Sequence, residues 1–394
     1  MLSTLGKQMR RIPVLNGLRG MAIIAVVYHH SFSAFFNAAG SVTLTPLTVL
    51  GSSGWLGVNL FFFLSGFVLY LPYATGQRSF AGRRSLIGFY GHRARRLLPV
   101  YYTSALILLL FTTQYQLDDS SLYRALVQYA LATFVFSRET FFPSINWALW
   151  SLGVELWFSL LFPAVVIAIG RFGWRKVLVI ALITALCVRF AGQLIVPTNP
   201  RRVLNFISDS LFGRLDEFAL GMLGAWLFSR RLMLWRPPLQ LVCGVALLAA
   251  SAVLWSLWYR GTFAEPLAAL FNIPFDAGLL LTVNALVVGC KPVVRMVSIW
   301  PLQMSGLMCY SIYLWHAPII SHFRSSAFSV STYVAYLSLT YLIAWFSYRY
   351  IEFGSVSDYR KLLPQSIEGT GDQKPLADRR QHSIADSGST RDSG

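Results

Sequence analysis

Ten apolar stretches of about twenty residues dominate this sequence, at positions 18–38, 55–74, 97–116, 147–169, 176–196, 211–229, 239–259, 268–290, 302–322 and 331–351. A helix rises about 1.5 Å per residue, so each stretch is long enough to cross a hydrocarbon core of roughly 30 Å. Inside such a core every backbone N–H and C=O must be satisfied internally, which a single segment achieves only as a helix. Charged residues make up 12% of the chain, against about 25% in a soluble domain. The sequence therefore predicts an all-α polytopic membrane protein of about ten transmembrane helices, with both termini cytoplasmic.

The orientation follows from where the cations fall. The net charge of +17 suggests nucleic acid at first sight, but Lys and Arg cluster between the apolar stretches, the pattern of membrane topology. With the N-terminus inside, the inner connections hold Lys7, Arg10, Arg11, Arg78, Arg83, Arg84, Arg93, Arg95 and Arg96, and later Arg171, Arg175, Lys176, Arg230 and Arg231. The outer loops hold few, among them Arg124, Arg138, Arg201, Arg202 and Arg324. A further segment, "LYRALVQYALATFVF" at 122–136, is short and interrupted by Arg124 and Gln128. Counting it as a span would put the later basic loops outside, so it is expected to be interfacial or re-entrant. The run after Arg11 is longer than a signal-peptide core and carries two histidines, so it is taken as an uncleaved first span. Residues 1–12 are then a cytoplasmic N-terminus, 13–353 the membrane domain, and 364–394, polar and poor in apolar residues, a disordered cytoplasmic tail. His382 in that tail is expected to stand outside any chemistry. The four cysteines, Cys187, Cys243, Cys290 and Cys309, have no metal-ligand spacing, and no metal site is expected.

Titratable groups inside apolar segments cost several kcal/mol each and ask for a reason. They are Arg19, His29, His30, Glu155, Arg189, Arg214, Asp216, Glu217 and His316. Arg19 and His30 are eleven residues apart, which at about 100° per residue is roughly 20° past three turns. They share a helix face, with His30 about 16 Å deeper, whereas His29 points about 80° away. Glu155 lies eight residues below Trp147, about 12 Å, which on this reckoning brings it to the depth of His30. A histidine near a buried carboxylate is the arrangement of a general base. The alternative, polar groups that only pin helices together, stays open here. Arg214 and Glu217 have the spacing of an ion pair on one helix face, or of an acceptor-site wall. His316, in "SIYLWHAP", reads as structural, and Arg189 has no evident partner. Arg93, Arg95 and Arg96 immediately precede the third span, either as a topology signal or as a grip on polyphosphate.

Taken together, "LNGLRGMAIIAVVYHH", "GWLGVNLFFFLSGF", "FYGHRARRLLPVYY", "WALWSLGVELWFSLLFP" and "SIYLWHAP" resemble, in order and spacing, the integral membrane acyltransferase-3 family. The resemblance covers residues 13 to 353. It implies an enzyme moving an acyl group, commonly acetyl, from cytoplasmic acyl-CoA to a hydroxyl of an exported or envelope polysaccharide. The family's Arg-x10-His motif falls on Arg19 and His30, its Arg-x-x-Arg motif on Arg93 and Arg96, its helix-4 glutamate on Glu155, and a terminal carboxylate on Glu352. Asn59 stands where the family often has a carboxylate or Gln. Leu156 and Trp157 replace a second Glu and a Gln. Many relatives add an extracytoplasmic hydrolase-like domain. This sequence contains none, so the chain is expected to act alone or with a separate partner.

The mechanism this implies has Arg93, Arg96 and Arg19 holding the coenzyme at the inner mouth and His30 acting as base on the acceptor hydroxyl. Glu155 orients the histidine, an Arg19–Glu352 pair forms, and Arg214, Glu217 and His316 are acceptor-side or structural. Acyl-CoA is a co-substrate, with no permanently bound cofactor. The expected partners are a glycan or lipid-linked glycan acceptor, the bilayer of the cell (inner or plasma) membrane and polysaccharide-assembly proteins, and no nucleic acid. The rival reading is a proton-coupled transporter or flippase of a glycan precursor, built from the same buried His, Arg and Glu.

Overall fold

A computed structural model describes residues 12–35, 45–111, 120–196, 205–323, 329–354 and 362–364. The expected N-terminal and C-terminal cytoplasmic segments, His382 among them, lie outside the described residues apart from Ile12 and Pro364, as do Arg201, Arg202 and Arg324.

The described chain is helical and, among the described residues, contains no strand. We number the helices α1 (Pro13–Phe35), α2 (Pro46–Ala74), α3 (Arg83–Phe111), α4 (Ser120–Leu131), α5 (Leu149–Phe172), α6 (Trp174–Ile195) and α7 (Leu215–Ser229). They continue with α8 (Pro237–Tyr259), α9 (Glu265–Val288), α10 (Lys291–Val297), α11 (Trp300–Leu307), α12 (Cys309–Phe323) and α13 (Val330–Glu352). Seven of these, α2, α3, α5, α6, α8, α9 and α13, are long and apolar enough to cross a membrane. This is a multi-pass membrane protein.

The other three expected spans fall on α1, α7 and the α11–α12 pair: α7 has 15 residues and α11 and α12 have 8 and 15, short for a full crossing, while α1 is long enough but carries polar groups. These helices carry Arg19 and the two histidines, Asp216 and Glu217, and His316. Their polar groups face other helices: His30 meets His316, and Asp216 and Glu217 meet arginines. The stretch at 302–322 is two helices, because the chain breaks at Met308 between Leu307 and Cys309. The segment at 122–136 is the 12-residue α4 followed by a 3₁₀ turn at Thr133–Phe136, too short to span.

Small residues set the central packing. A Cβ at Gly20 of α1 would lie 2.0 Å from the Leu302 carbonyl oxygen, and one at Gly66 of α2 would lie 2.1 Å from that of Phe218. Backbone therefore lies against backbone, α1 on α11 and α2 on α7, as dispersion-driven helix association in lipid favours. Around the second contact Phe62 and Phe158 pack on Phe218 with ring centroids 4.9 and 3.7 Å away.

Candidate functional site

Two polar centres lie along α1, one at each end. At the far end from Arg19, His30 Nδ1 is 2.8 Å from His316 Nε2. The other nitrogen of His316 faces the carbonyl oxygens of Tyr313 at 2.7 Å and Ile312 at 3.2 Å. Carbonyls only accept, so His316 Nδ1 carries the proton and its Nε2, in the neutral ring, offers a lone pair. His30 must then donate from Nδ1, which leaves the lone pair on its Nε2 uncommitted. His316 is completely buried while His30 is partly exposed, so His30 is the more accessible of the two rings.

The sequence builds this contact from three elements. His29, the residue that helical geometry set aside, bonds the Gly51 carbonyl from Nδ1 at 2.6 Å and ties α1 to α2. Asn146 donates from its amide to the Leu314 carbonyl at 2.8 Å, and Ser151 to the Tyr313 hydroxyl at 2.6 Å. These bonds fasten the start of α5 to α12 and lay Trp147 edge-on against His30, ring centroids 4.3 Å apart.

The other centre gathers Arg19, Arg93, Arg96, Glu155 and Glu352. Arg93 pairs with Glu155 and also donates from Nε to Ser159 Oγ at 3.0 Å. Ser65 adds a hydroxyl bond to Glu155 at 2.6 Å. Arg96 pairs with Glu352, whose second oxygen accepts from Ser311 at 2.8 Å, and its guanidinium lies over the Phe353 ring. Arg19 stands within electrostatic reach of Arg93, Arg96, Glu155 and Cys309. Among the described residues no carboxylate takes its guanidinium. Three cations therefore meet two carboxylates, which leaves the cluster with excess positive charge.

Several expectations are corrected here. Glu155 does not lie at the depth of His30 and does not orient it. The 12 Å from Trp147 to Glu155 is sound helix geometry, but Trp147 itself lies beside His30, so those eight residues carry the carboxylate down to the arginines. Glu352 pairs with Arg96 in place of Arg19. Arg93 and Arg96 belong to the first half of α3, which begins at Arg83, and are not in a loop before it. His316, read from sequence as structural, touches His30 directly.

A third centre is an ion-pair network between α6, α7 and α9. Arg189 meets Asp216; Arg214 meets Asp209 and, at 2.7 Å, Glu217. With its amide turned to suit the donors, Asn272 Oδ1 accepts from Arg189 at 2.7 Å and from Arg214 at 3.1 Å. All of these groups, and Asp276, are buried. Asp216, Glu217 and Asp276 bring one carboxylate oxygen each to within 4.8 Å of the others, the spacing of a cation site, but Arg189 and Arg214 already engage the first two. The spacing of Arg214 and Glu217 forms the expected pair, and Arg189 has the partner the sequence did not supply. Asp209 and Asp276 were missed, although Asp276 carries the signal that picked out Glu155, a carboxylate inside an apolar run.

Among the described residues, then, a helical membrane bundle holds a histidine pair at one end of α1 and an arginine cluster at the other. Residues 12–349 match the family model described as an acyltransferase domain, and the chain belongs to that family. It is 26% identical over 368 residues to an O-acetyltransferase OatA of Staphylococcus aureus, an alignment covering 87% of this chain and 57% of that protein. It is 25% identical over 370 residues to the peptidoglycan O-acetyltransferase OatA of Listeria monocytogenes, covering 86% of this chain and 55% of the relative. A putative acetyltransferase, ORF330, of Acidianus two-tailed virus is 25% identical over 307 residues, 77% of this chain and 82% of its own. The chain thus spans little more than half the length of the two bacterial relatives it matches. No solved structure matches it.

Proposed function

We propose that this chain is a membrane O-acetyltransferase that moves an acetyl group from acyl-CoA to a carbohydrate hydroxyl. Family membership and the bacterial relatives named O-acetyltransferase support the reaction class. One observation supports the donor: an arginine cluster in which Arg19 has no carboxylate partner among the described residues, joined to a histidine pair by a single helix. Arg19 and His30 are about 16 Å apart along α1. The pantetheine arm of coenzyme A has the length of about four extended peptide units, roughly 14 Å. Phosphates held by Arg19, Arg93 and Arg96 thus leave the thioester at His30.

In the proposed step an acceptor hydroxyl donates its proton to His30 Nε2 as its oxygen attacks the thioester carbonyl. The tetrahedral intermediate collapses, the C–S bond breaks, and the coenzyme thiolate takes the proton back from His30 Nε2, leaving the neutral ring. His30 Nδ1–H stays directed at His316, which fixes the tautomer and stabilises the imidazolium that forms, and Trp147 walls the ring. Transfer is direct. Arg93 and Arg96 reach the phosphates by exchanging carboxylate oxygens for phosphate oxygens, a substitution guanidinium accepts readily.

The test is mass spectrometry of surface and secreted glycans from wild type, a deletion strain, and the deletion complemented with His30→Ala at equal membrane level. Ester-linked acetyl groups lost in both mutant strains support the proposal and identify the acceptor. Groups retained with His30→Ala overturn His30 as the base and favour a transport role.

A further inference from the structure

We propose that an open cavity between the end of α2, the Arg78–Phe80 turn and the end of α5 receives the adenine-nucleotide end of the acyl-CoA donor. The inference rests on the donor proposed above and adds a site that the arginine motif does not contain. The cavity holds about 290 Å³ and is walled by Tyr70, Tyr73 and Phe80 on one side and by Val166, Ile167 and Gly170 on the other, with Arg78 and Ser79 at its edge. That volume is near the lower end of the roughly 300–1,000 Å³ typical of small-ligand sites.

Three observations point to a purine nucleotide. The first is aromatic chemistry. Tyr73 and Phe80 are stacked with centroids 4.6 Å apart and both line the opening, and nucleobases are recognised by stacking on such rings. The second is charge. Arg78 has no carboxylate partner among the described residues, and between positions 70 and 176 the only acidic residues are Asp118, Asp119, Glu139 and Glu155. Arg83, Arg84, Arg171, Arg175 and Lys176 flank the same stretch, so a polyanion is drawn towards it. The third is continuity with the arginine cluster. Phe80 packs on Phe89 and Phe162, at 5.6 and 6.2 Å between centroids. Phe89 is one helical turn before Arg93, and Phe162 one turn beyond Ser159, which Arg93 holds. About 6 Å of α3 and about 4.5 Å of α5 thus separate the aromatic floor from the phosphate-binding arginine and the serine it holds.

The turn that presents Arg78 is itself ordered by sequence. The Pro72 carbonyl accepts from the backbone N–H groups of both Gln77 and Arg78, at 2.9 and 3.1 Å, and Gly76 takes the φ of +71° that closes the chain over the helix end. Arg78 and Phe80 are thereby held beside Tyr73 before any ligand arrives.

The experiment is equilibrium binding to the full chain in lipid nanodiscs, with three probes: acetyl-CoA, adenosine 3′,5′-bisphosphate, and acetyl-4′-phosphopantetheine, which keeps a phosphate and lacks the nucleotide. The variants are Phe80→Ser and Gly170→Trp. Gly170 lines the cavity and a Cβ there meets nothing within 4 Å, so a bulky side chain can be introduced without displacing backbone. Both variants are expected to weaken acetyl-CoA roughly tenfold or more and to abolish bisphosphate binding, while acetyl-4′-phosphopantetheine binds as to wild type. If both variants bind acetyl-CoA as wild type does while Arg96→Ala weakens it, the nucleotide site is wrong and the donor stands. If wild type binds neither acetyl-CoA nor its phosphopantetheine fragment, the donor itself is wrong and the site falls with it. If the bisphosphate fails to bind wild type and the variants change only the response to anionic lipid, the cavity seats a lipid headgroup and the inference is overturned.

Discussion

His30 Nδ1 lies 2.8 Å from His316 Nε2, although the two residues are 286 positions apart in the chain. The backbone carbonyls beneath His316 fix the direction of that hydrogen bond, so the ring on α12 decides which nitrogen of the ring on α1 is free. In the proposed reaction His316 is a positioning residue and His30 the group that touches the substrate.

Removing the base is expected to cost more than removing its support. His30→Ala lowers kcat by about 10²–10⁴, the usual contribution of a positioned general base. His316→Phe approximates the ring volume but not the acceptor, and is expected to lower kcat about 10–100-fold, the loss of one hydrogen bond to a charged ring, with the KM for acyl-CoA unchanged. Steady-state kinetics on reconstituted protein separate the two. Equal losses in both variants, or a KM effect in His316→Phe, would count against the assignment.

Asn146 acts only through what it fastens. Asn146→Ala removes the bond to the Leu314 carbonyl and releases the turn that lays Trp147 on His30. A stability loss of about 1–3 kcal/mol is expected. A fall in kcat without a change in acyl-CoA affinity should accompany it, read by thermal unfolding in detergent and by kinetics.

The α6–α7–α9 network is predicted to be structural. Arg214→Leu strands Asp209 and Glu217 in a buried site and is expected to destabilise by about 3–5 kcal/mol. Adding Asp209→Asn and Glu217→Gln removes the stranded charges and should recover most of that loss. A triple variant no more stable than Arg214→Leu would show that the guanidinium has a further role.

Gly20 is the packing point with least slack. Gly20→Val forces a side chain into the Leu302 carbonyl and should lower the yield of folded protein and its unfolding temperature, at a cost of at least about 1–3 kcal/mol. Fluorescence-detected size exclusion of the membrane extract measures it.

The seven long apolar helices, the shared face of Arg19 and His30, and the Arg214–Glu217 pair were all legible in one dimension, because hydropathy and a 3.6-residue period act along the chain. Depth across helices was not. Placing Glu155 required knowing where Trp147 sits in the bundle, and only the bonds from Asn146 and Ser151 to α12 set that level. Which carboxylate answers which arginine was equally hidden, since Glu155, Glu352 and Asp216 reach their partners across distant segments. His316 looked ordinary for the same reason: a single histidine has no periodicity to betray it, and its meaning lies in the ring it faces. The sequence by itself determined that this chain crosses a membrane and that Arg19 and His30 share one face of α1. Tertiary structure alone decided which charges pair and which imidazole nitrogen is free, because both depend on distances between helices that no local pattern encodes.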